Sequence, residues 1–164
     1  MVQDVLKKVT DDRLEKIKEE YKKTVIINDS LGRFELDRKY NRFEGKIDYL
    51  GDMCNVYLEV EEGELTADKE LNKLRGIYQN LEKWNTDVKE YVSNELLELV
   101  NDWLEGEGEI SKEEFLQRIG ISDITIESDG VIRLMFESHG IFTDHGIEVE
   151  INKNGDFVNA DIVG

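Results

Sequence analysis

Ser138, His139, Asp144 and His145 are the residues whose types and proximity come nearest to chemistry in this chain. A hydroxyl, two imidazoles and a carboxylate are the parts of a nucleophilic hydrolase. In such an enzyme a base takes the serine proton, and an acid orients the base at its far nitrogen. Two features argue against an assembled triad. No Gly-x-Ser-x-Gly elbow surrounds Ser138. Asp144 and His145, as neighbours on a strand, would point to opposite faces. The spacing favours a glycine-containing connection between two strands whose polar side chains bond the backbone. A hydrolase built on the 138–145 loop stands as the alternative.

Metal and cofactor chemistry has even less to work with. Structural zinc takes four nitrogen or sulfur ligands in close pairs, and only Cys54, His139 and His145 are on offer. Asp123, Asp129 and Asp144 are too scattered for a calcium loop. No glycine-rich phosphate cradle is present, since Gly106-x-Gly108 falls between helical patterns. With 38 Asp and Glu in the chain, any chosen carboxylate pair is uninformative as a glycosidase signature. The expectation is therefore no cofactor, no metal and no enzyme.

Charge is the dominant signal. The 38 acids face 21 Lys and Arg, a formal net charge of −17 on 164 residues. The excess is concentrated after residue 60, while residues 1–23 are nearly balanced and carry the one lysine-rich stretch (Lys7, Lys8, Lys16, Lys18, Lys22, Lys23). A field of that sign repels nucleic acid and membrane surfaces and attracts basic partners. No secretory leader and no apolar run of membrane-spanning length occurs, and the lone Cys54 makes no internal disulfide, so a cytoplasmic location is expected.

The elements that must position these residues read from periodicity. Residues 1–23 are helical, with stripes at Val5, Leu6, Val9 and at Leu14, Ile17, Tyr21. Thr10-Asp11-Asp12 between them suggests a cap or kink. Residues 24–60 alternate as strands, with Leu50-Gly51-Asp52 as a hairpin connection. Leu71, Leu74, Tyr78, Leu81 and Trp84 mark one helix. Asn85-Thr86-Asp87 suggests a break, and Val88, Tyr91, Val92, Leu96, Leu99, Val100 and Trp103 mark a second helix, ending at Gly106. A flexible-looking joint is expected at Glu105–Glu109. Ser111 to Glu114 form a capping box for a short helix ending at Gly120. Four strands close the chain, with apolar sets Ile124 and Ile126; Ile132, Leu134 and Phe136; Ile147, Val149 and Ile151; and Val158, Ala160 and Ile162. Ser128-Asp129-Gly130 and Asn154-Gly155 supply turns. The fold expected is α+β. Antiparallel strands from both halves of the chain carry a central helical pair on one face, behind an N-terminal helical segment (1–23) and within one domain (24–164).

If the alternation holds, the other face of the last strands carries Thr125, Glu127, Arg133, Met135, Glu137, Glu148, Glu150, Asn159 and Asp161. The second helix adds Glu90, Glu98, Asp102 and Glu105 on its outer side. Glu127, Glu137, Glu148, Glu150, Asp161, Glu98 and Asp102 are thus the candidate contacts for a basic protein. The bland reading is a solvated face whose like charges discourage aggregation.

Four stretches also carry a family resemblance. Phe43-Glu-Gly-Lys-Ile-Asp-Tyr-Leu-Gly51, Glu95-Leu-Leu-Glu-Leu-Val-Asn-Asp-Trp-Leu104, Glu114-Phe-Leu-Gln-Arg-Ile119 with Ile124-Thr-Ile-Glu-Ser-Asp-Gly130, and His145-Gly-Ile-Glu-Val with Ala160-Asp-Ile-Val-Gly164 occur in that order. Together they resemble a bacterial family known as domain of unknown function 2262, over roughly residues 31–164. The chain departs from that pattern at Tyr49, where Trp is commoner, and at Phe142-Thr-Asp-His145, where Phe-Trp-Gly-His-Ser is usual. The resemblance brings no catalytic residues. Families of this type resemble the small acidic immunity proteins encoded beside secreted toxins, which implies a cytoplasmic inhibitor of a basic toxin domain, monomeric or homodimeric. A self-associating housekeeping module is the further alternative.

Overall fold

The computed structural model describes residues 2–104, 108–142 and 144–164, with side chains from residue 10 onward. Helix α1 (Val2–Lys22) runs uninterrupted through Thr10-Asp11-Asp12. It is followed by β1 (Ile26–Asn28), β2 (Arg33–Asp37), β3 (Arg42–Tyr49) and β4 (Asp52–Glu59). Helices α2 (Asp68–Gln79), α3 (Leu81–Trp103) and α4 (Lys112–Gln117) come next, then β5 (Gly120–Ile126), β6 (Ile132–Glu137), β7 (Gly146–Ile151) and β8 (Phe157–Val163). The fold is α+β, and the joint expected at Glu105–Glu109 lies outside the described residues over positions 105–107.

The strands form one sheet in their order along the chain. Among the described residues every neighbouring pair is antiparallel except β4 and β5, which run parallel from Asn55↔Asp123 to Leu58↔Ile126. This corrects the all-antiparallel expectation: the sheet is mixed. A tight turn can only reverse a strand, whereas the α2–α4 connection is long enough to return the chain to the start of its neighbour. Each half is thus a hairpin-built meander. At the β3–β4 turn Tyr49 pairs with Asp52, leaving Leu50-Gly51 as a two-residue loop with both φ positive, 55° and 98°. That geometry matches the strand twist, and Gly51 adopts it without a Cβ penalty.

The strands bury alternate side chains: Phe43 and Ile47, Cys54, Val56 and Leu58, then Ile124, Ile126, Leu134, Phe136, Ile147 and Val149. These join Leu71 and Leu74 of α2, Val88, Val92, Leu96 and Val100 of α3, and Phe115 of α4 in one continuous core. Each such side chain contributes about 1.5–3 kcal/mol. Two sequence expectations fail here for local reasons. The helix break lies at Asn80, not at Asn85-Thr86-Asp87. Thr86 donates to Glu82 O and Lys83 pairs with Asp87, so these polar side chains are satisfied inside the helix. Val158 is exposed, because a bulge opposite Glu150 and Ile151 moves Phe157 onto the inward side, where it stacks on Tyr91. Leu99 and Trp103 sit half-exposed on the flank of α3.

Two cations fasten remote pieces. Lys73 of α2 donates to Gly130 O and Lys153 O, holding the β5–β6 and β7–β8 turns together. Arg38 donates to Lys23 O at 3.3 Å and lies over the Tyr21 ring, tethering the end of α1, whose Leu14, Ile17 and Tyr21 remain exposed.

Cys54 is fully buried on β4; burial, aided by Asp123, pushes its thiol up to about 12. The thiolate is the reactive form. Iodoacetamide at about pH 8 should therefore label the native protein far more slowly than the urea-unfolded chain. Equal rates would contradict this burial.

Candidate binding surface

The strand register assembles the outward side chains into cross-strand rows. One row runs Lys46, Asn55, Asp123, Met135, Glu148, Asp161 across β3 to β8. The next runs Glu44, Tyr57, Thr125, Arg133, Glu150, Asn159. The residues assigned to the polar side of β5–β8 from alternation therefore do share it. Asp123 belongs with them; its parity with Thr125 was the available signal.

Arg133 is the centre of this surface. Its Nε donates to Glu127, and its Nη1 donates to Glu150 at 2.8 Å and, more weakly, to Glu148 at 3.4 Å. The hydrogen bond to Glu127 and the attraction of the carboxylates hold the guanidinium pKa above its ordinary value. Three carboxylates sharing one cation leave a local surplus of two negative charges. Asp123 accepts from Asn55 Nδ2 at 3.0 Å and from the Ser122 hydroxyl. Glu137 projects from the end of β6 and is exposed. Altogether β5–β8 present Asp123, Glu127, Glu137, Glu148, Glu150 and Asp161 around one arginine. Glu98 and Asp102 do not join them: α3 buries Val92, Leu96 and Val100 in the core, so its outer side is separated from this surface by the helix and the sheet.

Glu59 lies near Glu127, and burial together with that like charge raises its pKa. A raised folded-state value gives stability that is complete below the unfolded pKa and lost as pH rises through the folded one. Relative to Glu59→Gln, the native protein should lose melting temperature over the pH window just above the ordinary glutamate value. Parallel pH profiles for the two proteins would refute the coupling.

The 138–145 segment is built differently from a nucleophilic site. Ser138 is buried; its hydroxyl donates to His145 O at 3.1 Å and accepts from Phe142 N–H at 3.4 Å. His145 Nδ1 lies 3.2 Å from Phe142 O and 3.3 Å from Asp144 Oδ1, with the ring tilted against Trp103. The serine hydroxyl is thus spent on backbone groups, as the strand-connection reading expects.

A cleft of about 600 Å³ opens where β4 and β5 begin, and sequence reasoning missed it because it depends on the parallel pairing. Lys46, Lys89, Asp52, Glu137, Gln117 and His139 are among its lining residues. Tyr49 OH donates to Asn85 Oδ1 at 2.9 Å, and Lys89 Nζ donates to Leu116 O at 3.1 Å. Burial raises the Tyr49 phenol pKa and lowers that of the Lys89 ammonium. His139 adopts a left-handed backbone with φ of 38°. Two lysines against two acids leave the cleft near neutral, and much of its polar capacity is spent internally. Among the described residues no group of three or more His, Cys, Asp or Glu is arranged to hold a metal ion. No described helix is long and apolar enough to cross a membrane.

The model of the DUF2262 family, described as an uncharacterized protein conserved in bacteria, matches residues 28–162 and leaves α1 outside. No curated protein and no solved structure matches the chain.

Proposed function

The chain belongs to the uncharacterised bacterial family DUF2262, and on that premise we propose that it is a non-catalytic binding protein. In this reading it captures a basic protein domain, as an immunity-type inhibitor of a toxin does, in the cytoplasm. Helices α2–α4 pack over one face of the sheet, and the opposite face is the platform. The observation that carries the reading is the register-built acidic surface of β5–β8, where Glu127, Glu148 and Glu150 share Arg133 and Asp123, Glu137 and Asp161 add further carboxylates. Such a surface is stiff, since every strand in it is paired, so little ordering is needed on binding. Its field speeds encounter with a cation-rich partner and repels nucleic acid.

The test uses the C-terminal domain of any secreted protein encoded immediately upstream. Association is measured over rising salt for the native chain, Glu148→Lys/Glu150→Lys and His145→Ala. Reversal should weaken binding by about 1–3 kcal/mol and flatten its salt dependence, while His145→Ala leaves it intact. Unchanged binding after reversal, together with loss of a hydrolytic activity in His145→Ala, would favour the hydrolase.

A further inference from the structure

The sheet ends at β8, a strand of seven residues with no described strand beyond it. The turn sets the phase of its hydrogen bonds: Asn152 N–H donates to Asp156 O and Gly155 N–H donates to Asn152 O, both at 2.9 Å. Counting along the register past the bulge, Glu148↔Asp161 exchange ladder bonds, whereas Val149↔Ala160 and Ile147↔Ile162 do not. The N–H and C=O groups of Ala160 and Ile162 therefore point away from β7, towards the free edge.

That edge is partly closed by its own strand. Ile162 N–H donates to Asp161 Oδ1 at 2.8 Å, so an exposed carboxylate covers a group that a pairing strand would need. We infer that β8 is the docking edge for an extended, lysine- or arginine-bearing segment of the partner, with Asp161 as its charge-operated gate. The inference rests on the proposed binding function and names how the partner is held. A base opposite Asp161 offers the carboxylate a charge-assisted bond, roughly twice as strong as a neutral one. Drawing the carboxylate away frees Ile162 N–H to donate to the incoming backbone, in the manner of strand addition. Exposed Val158 adds an apolar contact beside it. A second copy is a poor occupant, because antiparallel β8 strands would set Asp156 and Asp161 against the same acids.

The experiment follows the exchange of the Ala160 and Ile162 amides in the ¹⁵N-labelled full chain. The probes are a synthetic peptide alternating Val with Lys and its counterpart alternating Val with Glu. The Val/Lys peptide should slow exchange at both amides by about tenfold or more and the Val/Glu peptide should not. Asp161→Ala, lacking both gate and charge, should admit the Val/Glu peptide and pair with itself, doubling its mass by light scattering. The inference is overturned if Val/Lys perturbs only signals around Arg133 and leaves both amides unprotected, an outcome that spares the platform reading. It is equally overturned if Asp161→Ala stays monomeric and admits neither peptide.

Discussion

Phe34→Ala should destabilise the protein by about 3–5 kcal/mol, and Gly45→Ala should cost about 1–3 kcal/mol although it adds one methyl group. Phe34 is fully buried and pairs with Gly45 across β2 and β3. A Cβ on Gly45 would sit 2.4 Å from Phe34 Cδ1 and 2.6 Å from Arg33 O, inside van der Waals contact with both. The phenyl ring thus lies on the glycine, and the two positions share one space. Combining the substitutions should therefore cost less than the sum of the singles, since the truncated ring no longer meets the new methyl; only the clash with the Arg33 carbonyl persists. Urea unfolding of the four proteins measures this cycle. Simple additivity would mean that the ring does not rest on the glycine.

Arg133→Ala should cost about 1 kcal/mol at low salt, a modest figure because the guanidinium side chain is 36% exposed and solvent screens it. The character of the loss is more informative than its size. Glu127, Glu148 and Glu150 would then face one another without their shared cation. Salt should screen their mutual repulsion, so the variant should recover stability in high salt, where the native protein gains less. Urea midpoints at two salt concentrations decide it. A loss insensitive to salt would assign Arg133 a packing role only.

The local parts of this architecture could be read without coordinates, and the non-local parts could not. Leu50-Gly51 and Asn154-Gly155 announce hairpins because each reversal takes a glycine at positive φ, Gly51 in a two-residue loop and Gly155 in the longer turn from Asn152 to Asp156. The capping box at Ser111 and Glu114 is likewise written in adjacent side chains, and both reciprocal bonds form. Asn85-Thr86-Asp87 misled because its capping chemistry is equally good at satisfying itself within a helix. Val158 misled because the bulge reverses the alternation at the start of β8, where Phe157 turns inward, while Ala160 and Ile162 keep theirs. The parallel join of β4 to β5 has no local signature, since it is decided by where three helices return the chain. Arg133 as the common partner of Glu127, Glu148 and Glu150 was hidden for the same reason: the four residues span two strands and a turn. Alternation placed them on one face, and only register made them neighbours. Glu98 and Asp102 were grouped with them on charge alone, which says nothing about which layer a residue occupies.

The lone parallel pairing has a consequence for how the molecule comes together. On either side of it, each strand meets the next through a short reversal, so β1–β4 and β5–β8 can zip up early from contacts close in sequence. Joining Asn55–Leu58 to Asp123–Ile126 requires closing the whole intervening helical stretch, a slow search with little reward until the last register is found. The seam should therefore be the final part of the sheet to close, and strain applied to the molecule should part it there first, leaving two intact leaves.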